Sequence, residues 1–224
     1  MNVGAAGARG AGSLGPSGTP QAASSAGYRG QMPENTTTPT KKIAFLVAAE
    51  GIEKAELVEP WAAVTDAGHE AVLLSPETGA VQLFEHLDHA GTQQVDATVS
   101  SARVEDFDAL VLPGGVANPD ALRLDADAVA LVKAFVESGL PVAAICHAPW
   151  TLIEADVVRG RTLTSWPSLQ TDLRNAGAEW VDEKVVVDGN LITSRNPDDI
   201  PAFNSALLEA VNHGVSSART LSEA

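Results

Sequence analysis

Apolar residues fall along the chain in short unbroken runs that alternate with stretches of helical spacing, a pattern that predicts an α/β protein. Residues 43–49 (IAFLVAA) form a continuous apolar run, as a strand covered on both faces requires. Over 53–67 the apolar positions Leu57, Trp61 and Val64 recur at helical spacing, and Gly68 supplies a C-terminal stop. Residues 71–74 (AVLL) give a second strand, closed by PETG at 76–79, which completes a βαβ unit. The pattern recurs with a strand over 109–112, a helix over 125–138 carrying Val129, Val132, Phe135 and Val136 on one face, and a strand over 142–145. Such alternation predicts a parallel sheet with helices on both sides. Further on, 169–176 reads as a helix ended by Gly177. The runs 185–187 and 191–193 flank the hairpin signal Asp188-Gly189, and 201–211 reads as a terminal helix. Residues 78–101 read as a loop, and no internal repeat or second hydrophobic core is visible.

Residues 1–40 break this pattern. They contain 8 Gly, 4 Pro, 4 Ser and 5 Thr, too little apolar surface to offset the entropy of ordering, so a disordered tail is expected there. The segment lacks the apolar core of a secretory signal, and no export is expected. Met32, one of two methionines, is an alternative start. The folded domain is placed at 41–214, followed by a flexible end at 215–224. The formal charge of -15 repels phosphate backbones and anionic lipid, which argues against nucleic-acid and membrane partners. No apolar run approaches the roughly 18 residues of a membrane-spanning helix. A single cysteine cannot form an internal disulfide, so the expected compartment is the cytoplasm.

In an open α/β sheet, ligands bind beyond the C-terminal strand ends. The strand over 142–145 is followed by Cys146 and His147 and then by a helix to Ala155. A cysteine between a buried strand and a helix occupies the tight turn of a nucleophile elbow. There the helix N-terminus is expected to lower the thiol pKa, and backbone N–H groups can hold an oxyanion. A buried, inert thiol is the alternative, and the strand-to-helix position with the adjacent His147 weighs against it. After 109–112 comes Pro113-Gly114-Gly115, whose glycines let the backbone approach a ligand and whose amides are candidates to complete the hole. Asp120 is placed either to cap the following helix or to orient a histidine. Glu50, Glu53, Glu56 and Glu59 follow the first strand. One of them, leaning over the elbow, would be desolvated, raised in pKa and able to donate a hydrogen bond to sulfur. The 78–101 loop and Trp150 are expected to shape the pocket. His69, His86 and His89 show no complete ligand spacing, so neither metal nor cofactor is expected.

Together, EGIEKAEL (50–57), FDALVLPGG (107–115), VAAICHAP (142–149), NAGAEWVD (175–182) and VVVDGN (185–190) resemble the PfpI intracellular cysteine protease family. That family lies in the ThiJ/PfpI group of the class I glutamine-amidotransferase-like superfamily, and the resemblance runs in order over about 41–212. It implies a flavodoxin-like three-layer sandwich with a mostly parallel sheet. It further implies Cys146 as nucleophile, His147 as its partner, and Glu53 as the carboxyl group bonded to the sulfur. Asp120 is implied as the carboxylate that reaches the histidine of a neighbouring subunit in a dimer or larger ring. Oxyanion and substrate contacts are expected from Gly114, Gly115 and Trp150, together with the His147 amide. Two positions depart from the family pattern: Ala148 stands where Gly is usual, and Asp120 where the archetype has Glu. The implied activity is cysteine-dependent hydrolysis in stress protection, as a peptidase or a glyoxalase or deglycase, acting on a peptide or small carbonyl substrate. A redox sensor or holdase, in which Cys146 is oxidised rather than turned over, is the alternative.

Overall fold

A computed structural model describes residues 39–214 and 219–220; nearly all of the expected tail, and most of the expected flexible end, lie outside the described residues. The chain begins with β1 (Lys42–Leu46), β2 (Ile52–Glu53), α1 (Lys54–Asp66) and β3 (Glu70–Ser75). Then come β4 (Ala80–Glu85), β5 (Asp88–Gln94), β6 (Ala97–Thr98), β7 (Ala109–Leu112), α2 (Ala117–Leu122) and α3 (Ala126–Ser138). They are followed by β8 (Val142–Ile145), α4 (Pro149–Glu154), β9 (Thr162–Leu163), α5 (Gln170–Asn175) and β10 (Glu179–Trp180). The last elements are β11 (Val185–Asp188), β12 (Leu191–Ser194), α6 (Ile200–His213) and β13 (Arg219–Thr220).

The main sheet has the order β13-β11-β12-β8-β7-β1-β3-β6. The six strands from β12 to β6 are parallel; at one edge β11 runs antiparallel to β12, and β13 pairs antiparallel with β11. Apolar runs rather than alternation mark the central strands because both faces are covered. Ala44, Leu46, Leu110 and Leu112 face a core built with Leu131, Val132 and Phe135 of α3. Ile43, Phe45, Ala109 and Val111 face the opposite core, with Leu57 and Val64 of α1 and Phe203 and Leu207 of α6. Each large side chain removed from water in these layers stabilises the fold by about 1.5–3 kcal/mol. The predicted hairpin is β11–β12, turning at Gly189 with φ 57°.

Two readings of the sequence need correction. The 78–101 segment is not a loop: β4 and β5 pair antiparallel, and β4 also pairs with β2 in a separate three-stranded sheet. Only β4 carries alternation, with Val81 and Leu83 buried; β5 reads DHAGTQQ and is largely exposed, so it has no apolar signal. Asp120 does not cap α3 but lies within α2; Asp125 is the cap, accepting the Ala128 N–H at 2.8 Å.

The strand order reverses beside β1. The chain runs from β1 outward to β3 and later returns on the other side to β7 and β8. At such a switch point the loops that leave neighbouring strands diverge and open a crevice. Here those loops carry Glu50-Gly51, Pro113-Gly114-Gly115 and Cys146-His147.

Candidate active site

Cys146 closes β8 with φ 63°, a left-handed conformation that costs a non-glycine residue on the order of 1–3 kcal/mol. Backbone bonds on both sides hold it there. The Cys146 N–H donates to the Ser194 carbonyl at 3.0 Å, and the Trp166 N–H donates to the Cys146 carbonyl at 2.9 Å. β12 and the segment before α5 thus force the turn that presents the sulfur at the strand end. The residue is only 6% exposed, and it is a free thiol.

The carboxyl group at the sulfur is Glu56, not Glu53. Glu56 is fully buried with its carboxyl against the Cys146 side chain; Oε2 accepts the Gly114 N–H at 2.9 Å, and the buried Oε1 has no partner in full hydrogen-bond geometry among the described residues. Burial pushes its carboxyl up to about 8, against the pull of those bonds. Glu53 instead occupies the N-cap position of α1 and accepts the His86 N–H at 3.0 Å from the β4–β5 tip. Register on the helix separates the two: Glu56 belongs to the inward stripe of Leu57, Pro60 and Val64. That stripe was readable from the sequence, since Glu56 lies four residues before Pro60 and eight before Val64.

The expected lowering of the thiol pKa by the helix terminus is also not met. Burial is the largest influence on Cys146 and pushes the thiol up, and a charged Glu56 would push it further. The Gly115 and His147 amides lie toward the sulfur and act in the opposite direction. A protonated Glu56 removes the like charge and can donate, so sulfur and carboxyl hold one proton between them more readily than none.

Two of the loops beside this pair are stapled together through α2. Asn118, buried in α2, donates from Nδ2 to the Pro113 and Gly114 carbonyls at 2.8 and 3.0 Å and accepts the Ala48 N–H at 2.7 Å through Oδ1. Sequence reasoning passed over this residue, because α2 is a six-residue helix containing Pro119. Gly114 has its amide engaged by Glu56 and lies beneath the cavity, so it is not the expected oxyanion donor; a Cβ there would come within 2.8 Å of Cys146 Cβ. Gly115 does face the cavity, at φ 81°.

A half-open cavity of about 330 Å³ lies over the sulfur, with Cys146, His147, Glu53, Glu56 and Gly115 among its walls. His147 is 7% exposed, and burial holds its imidazole below the ordinary pKa, so it is neutral at pH 7. Its ring lies between two indoles, with Trp150 at 5.2 Å and Trp166 stacked at 5.8 Å. Trp150, expected in the pocket wall, packs behind His147 and donates its indole N–H to Asp172 at 2.9 Å. Trp166 takes the wall instead, joined at the rim by Val116, His86 and Leu87. The buried Nδ1 of His147 has no hydrogen-bond partner among the described residues. Asp120 is exposed on α2 and is not part of the cavity lining, so the chain does not bring it to His147. Among the described residues no group of three or more His, Cys, Asp or Glu could hold a metal ion, and no helix is long and apolar enough to cross a membrane.

Comparison with known proteins places this geometry. Residues 41–210 match the DJ-1/PfpI family. The chain is 44% identical over 170 residues to the protein/nucleic acid deglycase 2 of Escherichia coli, covering 75% of this chain and 96% of that protein. It is also 44% identical over 162 residues to the deglycase PH1704 of Pyrococcus horikoshii, covering 72% and 94%. Among solved structures it resembles a two-domain Anabaena variabilis protein with DJ-1/ThiJ/PfpI-like and ferritin-like domains. The TM-score is 0.75 with 35% identity, over 83% of this chain and 52% of the other, so this chain spans about half of that protein.

Proposed function

Because the chain belongs to the DJ-1/PfpI family, we propose that it is a cysteine-dependent hydrolase that removes carbonyl adducts from amines, acting through Cys146. The observation that carries this reading is the pairing of a strained, elbow-borne thiol with a buried carboxyl raised to about 8 at the floor of an accessible cavity. Neutral His147 takes the thiol proton, and the resulting thiolate is held by the Gly115 and His147 amides and by protonated Glu56. In an α-oxoaldehyde adduct the carbon–nitrogen bond breaks as the amine takes the proton from His147, and the carbon bonds to sulfur as a hemithioacetal. Transfer of a proton from that carbon to the neighbouring carbonyl carbon, through an enediol, gives a thioester. Water then releases the hydroxy acid and restores the thiol. The two carbons exchange oxidation level internally, so no cofactor enters.

The Nδ1 of His147 is buried and has no partner among the described residues; Asp120 of a second copy is the group we assign to it, in a cytoplasmic dimer or ring whose assembly would have to turn the imidazole toward the interface. Incubating the protein with methylglyoxal-modified Nα-acetylarginine, free methylglyoxal and a fluorogenic peptide tests the reading. Release of unmodified amine together with lactate is expected, and Asp120→Ala should slow it without slowing alkylation of Cys146. No turnover of any of these by reduced protein would favour the redox role instead.

A further inference from the structure

The lining of the cavity carries, besides the buried pair, an unused recognition group. Glu53 spends one carboxylate oxygen on the His86 N–H, and its other oxygen meets no donor among the described residues. The nearby cation Lys54 is engaged by Glu85 at 2.8 Å, and the described lining of the cavity includes no Lys or Arg. Trp166, 39% exposed, supplies a flat aromatic wall whose stacking partner is His147. A carboxylate that lacks a protein cation, an aromatic face and a strongly acidic chain form a poor environment for an anion and a good one for a planar cation.

We propose that Glu53 and Trp166 form a subsite that reads the carrier of the adduct and selects a cationic side chain, the guanidinium of arginine above all. Glu53 offers its free oxygen to the guanidinium N–H groups, and the Trp166 indole covers the guanidinium plane. Lysine satisfies the charge but not the plane, whereas carriers with carboxylate or phosphate groups meet repulsion. The inference rests on the proposed hydrolysis only for its use; binding at the subsite is separable from turnover.

Cys146 is the chain's one cysteine, so charged thiol reagents report the field at the site directly. The rates of a trimethylammonium-ethyl and a sulfonato-ethyl methanethiosulfonate are measured, each normalised to the neutral methyl reagent and compared with 2-mercaptoethanol. The cation-to-anion ratio at Cys146 is expected to exceed that of the free thiol and to fall about tenfold in Glu53→Gln. The exposed α3 variant Glu137→Gln, which removes the same net charge far from the cavity, should leave it in place. Protection of Cys146 from iodoacetamide should require less Nα-acetylarginine amide than Nα-acetyllysine amide, and this difference should vanish in Trp166→Leu. A ratio equal to that of 2-mercaptoethanol, or one that Glu53→Gln does not change, would overturn the subsite even if adducts are hydrolysed. Selectivity without hydrolysis would leave the subsite standing and overturn the proposed activity alone.

Discussion

Glu56→Ala is expected to lower turnover by about 10²–10³, with Glu56→Gln retaining more, because glutamine keeps a donor to sulfur while alanine leaves the thiolate with only the Gly115 and His147 amides. The charge on Glu56 also sets the pH behaviour. Above pH 8 the wild-type carboxyl, raised to about 8 by burial, ionises beside the sulfur and opposes the thiolate. The alkylation rate of the wild type should therefore flatten there, while that of Glu56→Gln continues to rise. Stability moves the other way. From the ordinary carboxyl value of 4.5 up to about 8 the unfolded chain ionises at Glu56 while the folded chain keeps the proton. Each pH unit in that window costs the wild type about 1.4 kcal/mol that Glu56→Gln does not lose. Denaturant titrations between pH 5 and 8 should show the variant gaining steadily on the wild type. A constant difference would mean that Glu56 is charged in the fold.

Gly115→Ala is expected to be among the most damaging small substitutions in the chain. A Cβ at this position would overlap the Gly51 carbonyl oxygen and lie 2.8 Å from the Glu53 amide, and φ 81° is itself unfavourable for alanine. Overpacking and the left-handed conformation together amount to about 2–5 kcal/mol. Relief requires the Pro113-Gly114-Gly115 turn to move away from Gly51 and Glu53, which withdraws an amide from the sulfur and disturbs the Gly114–Glu56 bond. Gly68→Ala is the matched control: φ is 84°, but open space surrounds the position, so only about 1–2 kcal/mol should be lost. Equal losses at the two positions in chemical denaturation, with unchanged Cys146 alkylation in Gly115→Ala, would remove the close approach of these loops from the account.

How far such features can be read from sequence depends on whether the signal is local. β1, β7 and β8 are legible because a strand buried on both faces must be apolar throughout, and α3 is legible because Asp125 and Gly139 bracket its periodic face. The elbow at Cys146 follows from the junction of a buried strand and a helix. The choice between Glu53 and Glu56 depends on the phase of α1 against the sheet, which the spacing of a motif does not carry; the two carboxylates lie one turn apart. β5 escaped notice because backbone pairing with β4, not apolar burial, defines it. Asn118 escaped because its three bonds reach loops that only the tertiary fold assembles. Trp166 stands twenty residues beyond Cys146 and reaches the cavity through its own N–H bond to the elbow, whereas the nearer Trp150 is turned away by its bond to Asp172.

Acid-quenched intact-mass spectrometry during turnover of methylglyoxal-modified Nα-acetylarginine tests the central claim most directly, since it observes the bond that Cys146 is proposed to form. The protein should gain the mass of one three-carbon unit on Cys146, transiently and at a rate that accounts for amine release, and Cys146→Ser should show neither the adduct nor turnover. Amine release by Cys146→Ser at the wild-type rate, or turnover by the wild type with no mass added at Cys146, would contradict it.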